Sequence, residues 1–339
     1  MKSTFAAVLA LAALAAAAPA RRQCSASTAT PTATPTPTET TSTPQTDPTT
    51  PPVSGGGGGS VSGPIFSVYA DEGIDANAWP SSADLGDWND LILSFWLSDG
   101  RGGFDTSAVW AGLNDTQKDA ILADYHGAGK QLRVAIFGAT DLPLKHGGDP
   151  VAIAGQVAQF VKDNKLDGVD VDYEDSESFN AAGDGETFII NLQKELRNQL
   201  PSPYIISHAP QSPYFTNNGM YPQGAYVKVH SEVGSTIDFY NVQYYNQGPG
   251  MYEDCDSLFN GGGSTIAGTS VNEMIKGGIP ADKIVVGKPG SSTDASNGYI
   301  APAALGDCVK QNADKPRGVM SWQWKNAKAD WIAAARGDL

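Results

Sequence analysis

Short runs of β-branched and aromatic residues recur eight times along this chain, with longer, helix-spaced patterns between them. The runs are Ile65–Ala70, Leu91–Leu97, Gln131–Gly138, Gly168–Tyr173, Tyr204–Ala209, Thr236–Tyr245, Lys283–Gly287 and Gly318–Trp324. The clearest helical patterns are Thr116–His126, Val151–Asn164, Gly185–Gln199, Ala267–Lys276, Ala301–Gln311 and Ala327–Ala335. Gly127 and Gly129 fit the end of the first of these. Strands joined through helices run parallel, and eight such units close into a barrel rather than an open sheet. The expected fold class is α/β, a single (β/α)8 barrel. Residues 64–339 number 276, which suits a fold that typically takes about 250 residues.

The residues before the barrel cannot build a core. No aromatic residue lies between Phe5 and Phe66. Residues 1–20 read as a signal peptide: Lys2, an apolar run from Phe5 to Ala18, then Ala18-Pro19-Ala20. The run is shorter than the ~18 apolar residues of a membrane span. Residues 21–63 are rich in Thr, Ser, Pro and Gly and read as a disordered linker. The expected location is therefore secreted, extracellular or in the cell wall. Secretion permits disulfides, and Cys255 and Cys308 are the two cysteines within the barrel segment, with Cys24 left over. Asn114-Asp115-Thr116 is a glycosylation sequon.

The net charge of −15 disfavours a phosphate backbone or an anionic membrane surface as partner and is compatible with a neutral substrate. No His/Cys cluster has metal-ligand spacing, and no Gly-rich loop cradles phosphate, so neither a metal nor another cofactor is expected. A monomer is expected.

Chemistry concentrates on the fourth strand. Residues 167–174 read Asp-Gly-Val-Asp-Val-Asp-Tyr-Glu. Alternation places Asp170, Asp172 and Glu174 on one face and Val169, Val171 and Tyr173 on the other. Carboxyls crowded inside a barrel repel each other and lose hydration, so at least one should remain protonated. That suits a general acid beside an ionised neighbour. A calcium loop is disfavoured by the missing Gly and distal Glu, and a solvated acidic loop by the interleaved valines.

Asp167-x-x-Asp170-x-Asp172-x-Glu174 resembles the signature of glycoside hydrolase family 18, the chitinases and endo-β-N-acetylglucosaminidases. Ala209-Pro210-Gln211-Ser212-Pro213, Val242-Gln243-Tyr244-Tyr245-Asn246, Gly287-Lys288-Pro289 with Gly298-Tyr299-Ile300, and Gly318-Val319-Met320-Ser321-Trp322 resemble its plant class III and fungal branch. The resemblance covers essentially all of residues 64–339. Strand three departs from it: Ile136-Phe137-Gly138-Ala139-Thr140 stands where the family has a Ser-x-Gly-Gly-like turn.

The resemblance implies a mechanism in which the substrate supplies its own nucleophile. Glu174 would protonate the glycosidic oxygen, and the sugar's 2-acetamido carbonyl would attack its own anomeric carbon to form an oxazolinium ion. Asp172 would orient the acetamido N–H, Asp170 would share a proton with Asp172, and Tyr245 would donate to the acetamido oxygen. Gln243, Asn246 and Gln211 would complete the polar lining, and Trp322 would floor the pocket with Tyr69 and Phe95. The implied partner is chitin or a chitooligosaccharide, cut internally. An endo-β-N-acetylglucosaminidase acting on the N-glycan core is the alternative, and a catalytically dead chitin-binding lectin is disfavoured because the acid is present. Trp96, Trp110, Tyr214 and Tyr252 lie near the same loops as further stacking candidates.

Overall fold

The computed structural model describes residues 63–261 and 266–339. The signal peptide and nearly all of the linker lie outside the described residues. Eight parallel strands form a closed ring. They are β1 (Ile65–Ala70), β2 (Asp90–Leu97), β3 (Gln131–Phe137), β4 (Gly168–Asp172), β5 (Ile205–His208), β6 (Phe239–Gln243), β7 (Ile284–Pro289) and β8 (Gly318–Trp322). Each pairs with its sequence neighbours, and β1 pairs with both β2 and β8, which closes the barrel. A two-residue antiparallel strand, Gly102–Gly103, decorates β2.

The pleat divides the apolar residues into two sets. Outward side chains such as Val169, Val171 and Tyr173 pack with the helices, Tyr173 stacking on Phe188 at 5.5 Å. Inward side chains form a smaller cluster that includes Ile65, Ile92, Ile205, Phe239, Val285 and Met320. The glycine after Asp167 is required by close approach: a Cβ on Gly168 would fall on the carbonyl oxygen of Ile205 in the neighbouring strand.

The helices follow their local signals. Asn114 and Gln117 form a capping box at the start of helix Asp115–Gly127. Asp149 caps helix Pro150–Asp163, whose first residue is the proline. Helix Asp184–Gln199 presents Phe188, Leu192 and Leu196 to the barrel at helical spacing.

Three expectations change in detail. The sixth strand begins at Phe239 rather than Thr236, because the Thr236 carbonyl accepts from Gln193 and Arg197 instead of joining the ladder. Helix Ala267–Lys276 shortens to Val271–Lys276, since the Ser270–Glu273 capping box fixes its start. Helix Ala225–Val233 between β5 and β6, and helix Asp105–Ala111 after β2, are additions. Cys255 and Cys308 are joined as a disulfide that ties helix Cys255–Phe259 to helix Pro302–Gln311. Among the described residues no helix is long and apolar enough to cross a membrane.

Candidate active site

The C-terminal ends of the strands surround a cleft of about 410 Å³. Asp172 and Glu174 face it from the end of β4, Gln243, Tyr245 and Asn246 from β6, and Phe95 and Trp322 from β2 and β8. A second hollow, of about 530 Å³, lies between the loops after β3 and β4, and neither Asp172 nor Glu174 lines it.

Alternation along β4 stacks the three carboxyls at increasing height. Asp170 is wholly buried, Asp172 nearly so, and Glu174 partly exposed at the cleft. Asp172 and Glu174 are hydrogen-bonded to each other, which requires one proton between them. Burial pushes both upward; Asp172 rises furthest because the charges of Glu174 and Asp170 add to it. Hydrogen bonds from Gln211 and Gln243 pull Glu174 partly back. The pair titrates as a unit that keeps a proton well above the usual carboxylate range. Gln243 Nε2 donates to Asp172 Oδ1 at 2.9 Å, and Gln211 Nε2 to Glu174 Oε2 at 2.8 Å.

Asp170 lies deeper, and every partner it has is a donor. Its Oδ1 accepts from Ser207 Oγ and, at 3.2 Å, from Asn241 Nδ2; its Oδ2 accepts from Tyr69 OH at 2.6 Å. Burial raises its pKa, and the guanidinium of Arg133 is the largest opposing influence. Tyr245 is buried beside all three carboxyls. Burial and their charges hold its phenol well above its ordinary pKa, so it remains a donor.

Trp322 lines the cleft, stacked on Phe95 with ring centres 5.9 Å apart. The turn after β3, which departs from the family pattern, supplies Ala139 and Thr140 to the wall. Its glycine is sterically required: Gly138 has φ +76°, and a Cβ there would stand 2.9 Å from Phe95 Cζ.

Several expected residues sit elsewhere than in direct reach of a ligand. Tyr69 is 2% exposed and lies beneath the cleft, holding Asp170 and not lining the pocket. Asn246 lines the cleft, but its Oδ1 accepts from Ser296 N and Oγ at 2.8 and 3.0 Å, which ties two loops together. Trp96, Trp110, Tyr214 and Tyr252 are all buried; Trp110, for example, donates from Nε1 to the Asn164 carbonyl. Asp167, the first acid of the motif, is at the opposite end of β4, accepting from Leu132 N at 2.8 Å and meeting His126 Nε2 at 2.9 Å.

Sequence reading missed Arg133, Asp90, Ser207 and Asn241, which fill the barrel beneath the carboxyls. Their signal was available: each is a polar residue at an inward position of a strand. It also missed Phe104, Asp71, Asp105 and Asp294 on the cleft wall, which come from loops. Asp71, hydrogen-bonded to Asp105 and half-buried, is pushed up to about 6, chiefly by burial. The side chains around the cleft include five carboxyls and neither lysine nor arginine. An anionic ligand is disfavoured there, and a neutral one is admitted. Among the described residues no His, Cys, Asp and Glu group is arranged to hold a metal ion.

Comparison with known proteins bears on the family and the fold. Residues 133–337, more than half of the chain, match the family described as Glycosyl hydrolases family 18. A chitinase of Enterococcus faecalis is 26% identical, over 75% of this chain and 78% of its own length. The crystal structure of a GH18 chitinase from Pseudoalteromonas aurantia superposes with a TM-score of 0.65 at 29% identity, covering 80% of this chain and 98% of that one. A fungal endo-β-N-acetylglucosaminidase of the same family shares the fold, with a TM-score of 0.57 at 17% identity over 77% of this chain and 90% of its own.

Proposed function

The chain belongs to glycoside hydrolase family 18, and from that membership we propose that it is a secreted, endo-acting chitinase that cuts β-1,4-linked N-acetylglucosamine with retention of configuration. The observation that carries the mechanism is the hydrogen bond between Asp172 and Glu174. Inverting glycosidases hold their two carboxyls about 6.5–9.5 Å apart, and ordinary retaining ones about 5–5.5 Å. Carboxyls in direct hydrogen-bond contact leave room for neither a water nor a sugar carbon between them. That spacing favours a nucleophile supplied by the substrate.

In this reading Glu174 gives the proton to the glycosidic oxygen as the bond to the anomeric carbon breaks. The acetamido carbonyl oxygen closes on that carbon from the opposite face and forms an oxazolinium ion. Asp172, aimed by Gln243, accepts from the acetamido N–H and stabilises the positive charge as it develops. The Tyr245 phenol donates to the acetamido oxygen. Water then attacks the anomeric carbon, Glu174 takes its proton, and the ring opens with the original anomeric configuration. Trp322 supports the apolar face of the sugar and keeps bulk water away from the ion.

The acidic cleft favours an uncharged polysaccharide over an acidic one. Only residues 290–301 separate β7 from the next helix, too few for an added domain to wall the groove, which supports internal cutting. The Cys255–Cys308 disulfide fits an oxidising compartment and thus export.

Digesting a chitin oligomer and an N-glycosylated protein in parallel, with the parent and with Glu174→Gln, tests the reading. Internal cleavage of the oligomer, lost in the variant, is the expected result. Release of N-glycans with the oligomer untouched would overturn it in favour of an endo-β-N-acetylglucosaminidase.

A further inference from the structure

The lower barrel holds an ion pair with no role in the mechanism above. Arg133, on β3, points inward and has no exposure. Its Nε donates to Asp90 Oδ1 at 2.7 Å, its Nη2 to Asp90 Oδ2, and its Nη1 to Ser207 Oγ at 2.6 Å and the Val169 carbonyl at 3.1 Å. Ser67 Oγ gives Asp90 one further donor at 2.6 Å. The guanidinium also lies over the Phe239 ring, 5.2 Å from its centre.

Such a pair is a poor way to stabilise a fold. Removing two charges from water costs about as much as their attraction returns, and apolar side chains of similar volume often do as well or better. The surrounding layer already contains Ile65, Ile92, Ile205 and Val285. The pair does, however, impose a direction on its neighbours. Ser207 Oγ accepts the Arg133 N–H, so its own hydrogen is free to point onward, and it goes to Asp170 Oδ1. With Asn241 and Tyr69 also donating, Asp170 receives three hydrogen bonds as an acceptor. Three donors converging on one carboxyl favour its charged form.

We propose that Arg133 is a positioning residue for the hydrolysis proposed above: through Ser207 it holds Asp170 as a carboxylate, so that the one proton of the site stays with Asp172 and Glu174. Asp170 is then a fixed negative charge beneath the sugar that favours the cationic intermediate, and Glu174 keeps access to the proton it must deliver. Burial alone would favour a neutral Asp170, and Arg133 is the main counterweight. The other groups facing this centre are Tyr69 from β1, Asp90 from β2, Asp172 with Glu174 from β4, and Tyr245 from β6. Arg317 approaches Phe239 at 5.6 Å. On β5, His208 turns outward to Gln193 and Tyr226, and on β7, Lys288 turns to the Tyr244 and Tyr252 carbonyls.

The inference rests on the proposed reaction for its kinetic readout, so a second readout is independent of turnover. The test compares the parent with Asp90→Leu/Arg133→Met, which strands no charge, and with Arg133→Lys and Ser207→Ala. Two quantities are followed against pH: kcat/KM on a chitin oligomer, and the aspartate carboxyl carbons by 13C NMR. In the double variant the acidic limb of kcat/KM should move up by about one pH unit, so activity below the limb falls roughly tenfold beyond any uniform loss. The Asp170 carboxyl titration should move the same way. Arg133→Lys, which keeps the charge, should leave the limb near the parent's. Ser207→Ala should shift it upward by a smaller amount, and it stands as the test if the double variant does not fold. A uniform loss of activity with both titrations unmoved, or an unmoved limb in Ser207→Ala when the double variant is unfolded, would overturn the inference. Failure of the parent to cut chitin oligomers would instead remove the reaction, and the carboxyl titration would still decide what Arg133 does to Asp170.

Discussion

Gln243 Nε2 sits 2.9 Å from Asp172 Oδ1 and 2.9 Å from the Ala209 carbonyl, so one amide fixes the acid of β4 against the ends of β5 and β6. A carboxylate oriented this way accepts from a substrate N–H without first reorganising. Gln243→Leu removes the donor and keeps the bulk. A hydrogen bond to a charged group contributes about 1.5–3 kcal/mol, so kcat should fall about 10–100-fold with KM little changed. Steady-state kinetics on a chitin oligomer checks the split; a change confined to KM would place Gln243 in binding alone.

Glu174→Gln keeps the shape of the acid and removes its proton. The expected result is a folded protein that binds oligosaccharide and has lost about 10²–10⁴-fold in turnover. Calorimetry for binding and product analysis for turnover check this together. Asp172→Asn and Tyr245→Phe should also be impaired, since each group serves the same oxazolinium ion. Near-normal hydrolysis by Glu174→Gln would remove it from the role of acid.

Stability should respond to pH through His126. Its Nε2 lies 2.9 Å from Asp167 Oδ1, and that hydrogen bond raises its pKa above the ordinary histidine value. A raised histidine contributes most below the unfolded value of about 6.5, and the contribution fades as pH rises through the higher folded value. His126→Ala should therefore lower Tm more at pH 5.5 than at pH 8.5. Equal losses at both would show that charge plays no part.

His208 should behave in the opposite sense. It is fully buried between Tyr226 OH and Gln193 Oε1, each 3.0 Å from a ring nitrogen, and burial lowers its pKa to about 3. The folded chain keeps it neutral while the unfolded chain takes up a proton below about 6.5. Its neutral burial therefore costs stability progressively as pH falls from about 6.5 towards 3. His208→Asn should be the less stable protein at pH 8, with the gap narrowing towards pH 4. Denaturant midpoints at the two values decide it, and a constant gap would contradict the assignment.

The barrel was legible because each strand is short, rich in apolar residues and followed by a helix, and because Asp170, Asp172 and Glu174 alternate with valines that need burial. Boundaries were less legible where side chains far along the chain decide them. Gln193 and Arg197 capture the Thr236 carbonyl, and nothing near Thr236 announces it. The aromatic residues were hardest to place. Tyr69 and Trp322 both end barrel strands and pack with ring centres 5.8 Å apart, yet Trp322 lines the cleft while Tyr69 lies under it. The two residues pair directly across β1 and β8, so the difference lies in what each ring meets: the Tyr69 hydroxyl is held by the buried Asp170, a partner that local sequence does not reveal. Arg133 was legible in principle, since a charge at an inward strand position needs a partner, but Asp90 and Ser207 become its partners only once the ring closes.

The central claim is that the substrate supplies the nucleophile while Glu174 supplies and recovers the proton. The anomeric form of the first product tests it most directly, read by 1H NMR within minutes of adding enzyme to a chitin oligomer, before mutarotation. The account predicts the β-anomer at the new reducing end, absent with Glu174→Gln. The α-anomer would contradict it, and would move the water-activating role to another carboxyl of the cleft, with Asp71 and Asp294 the first to examine.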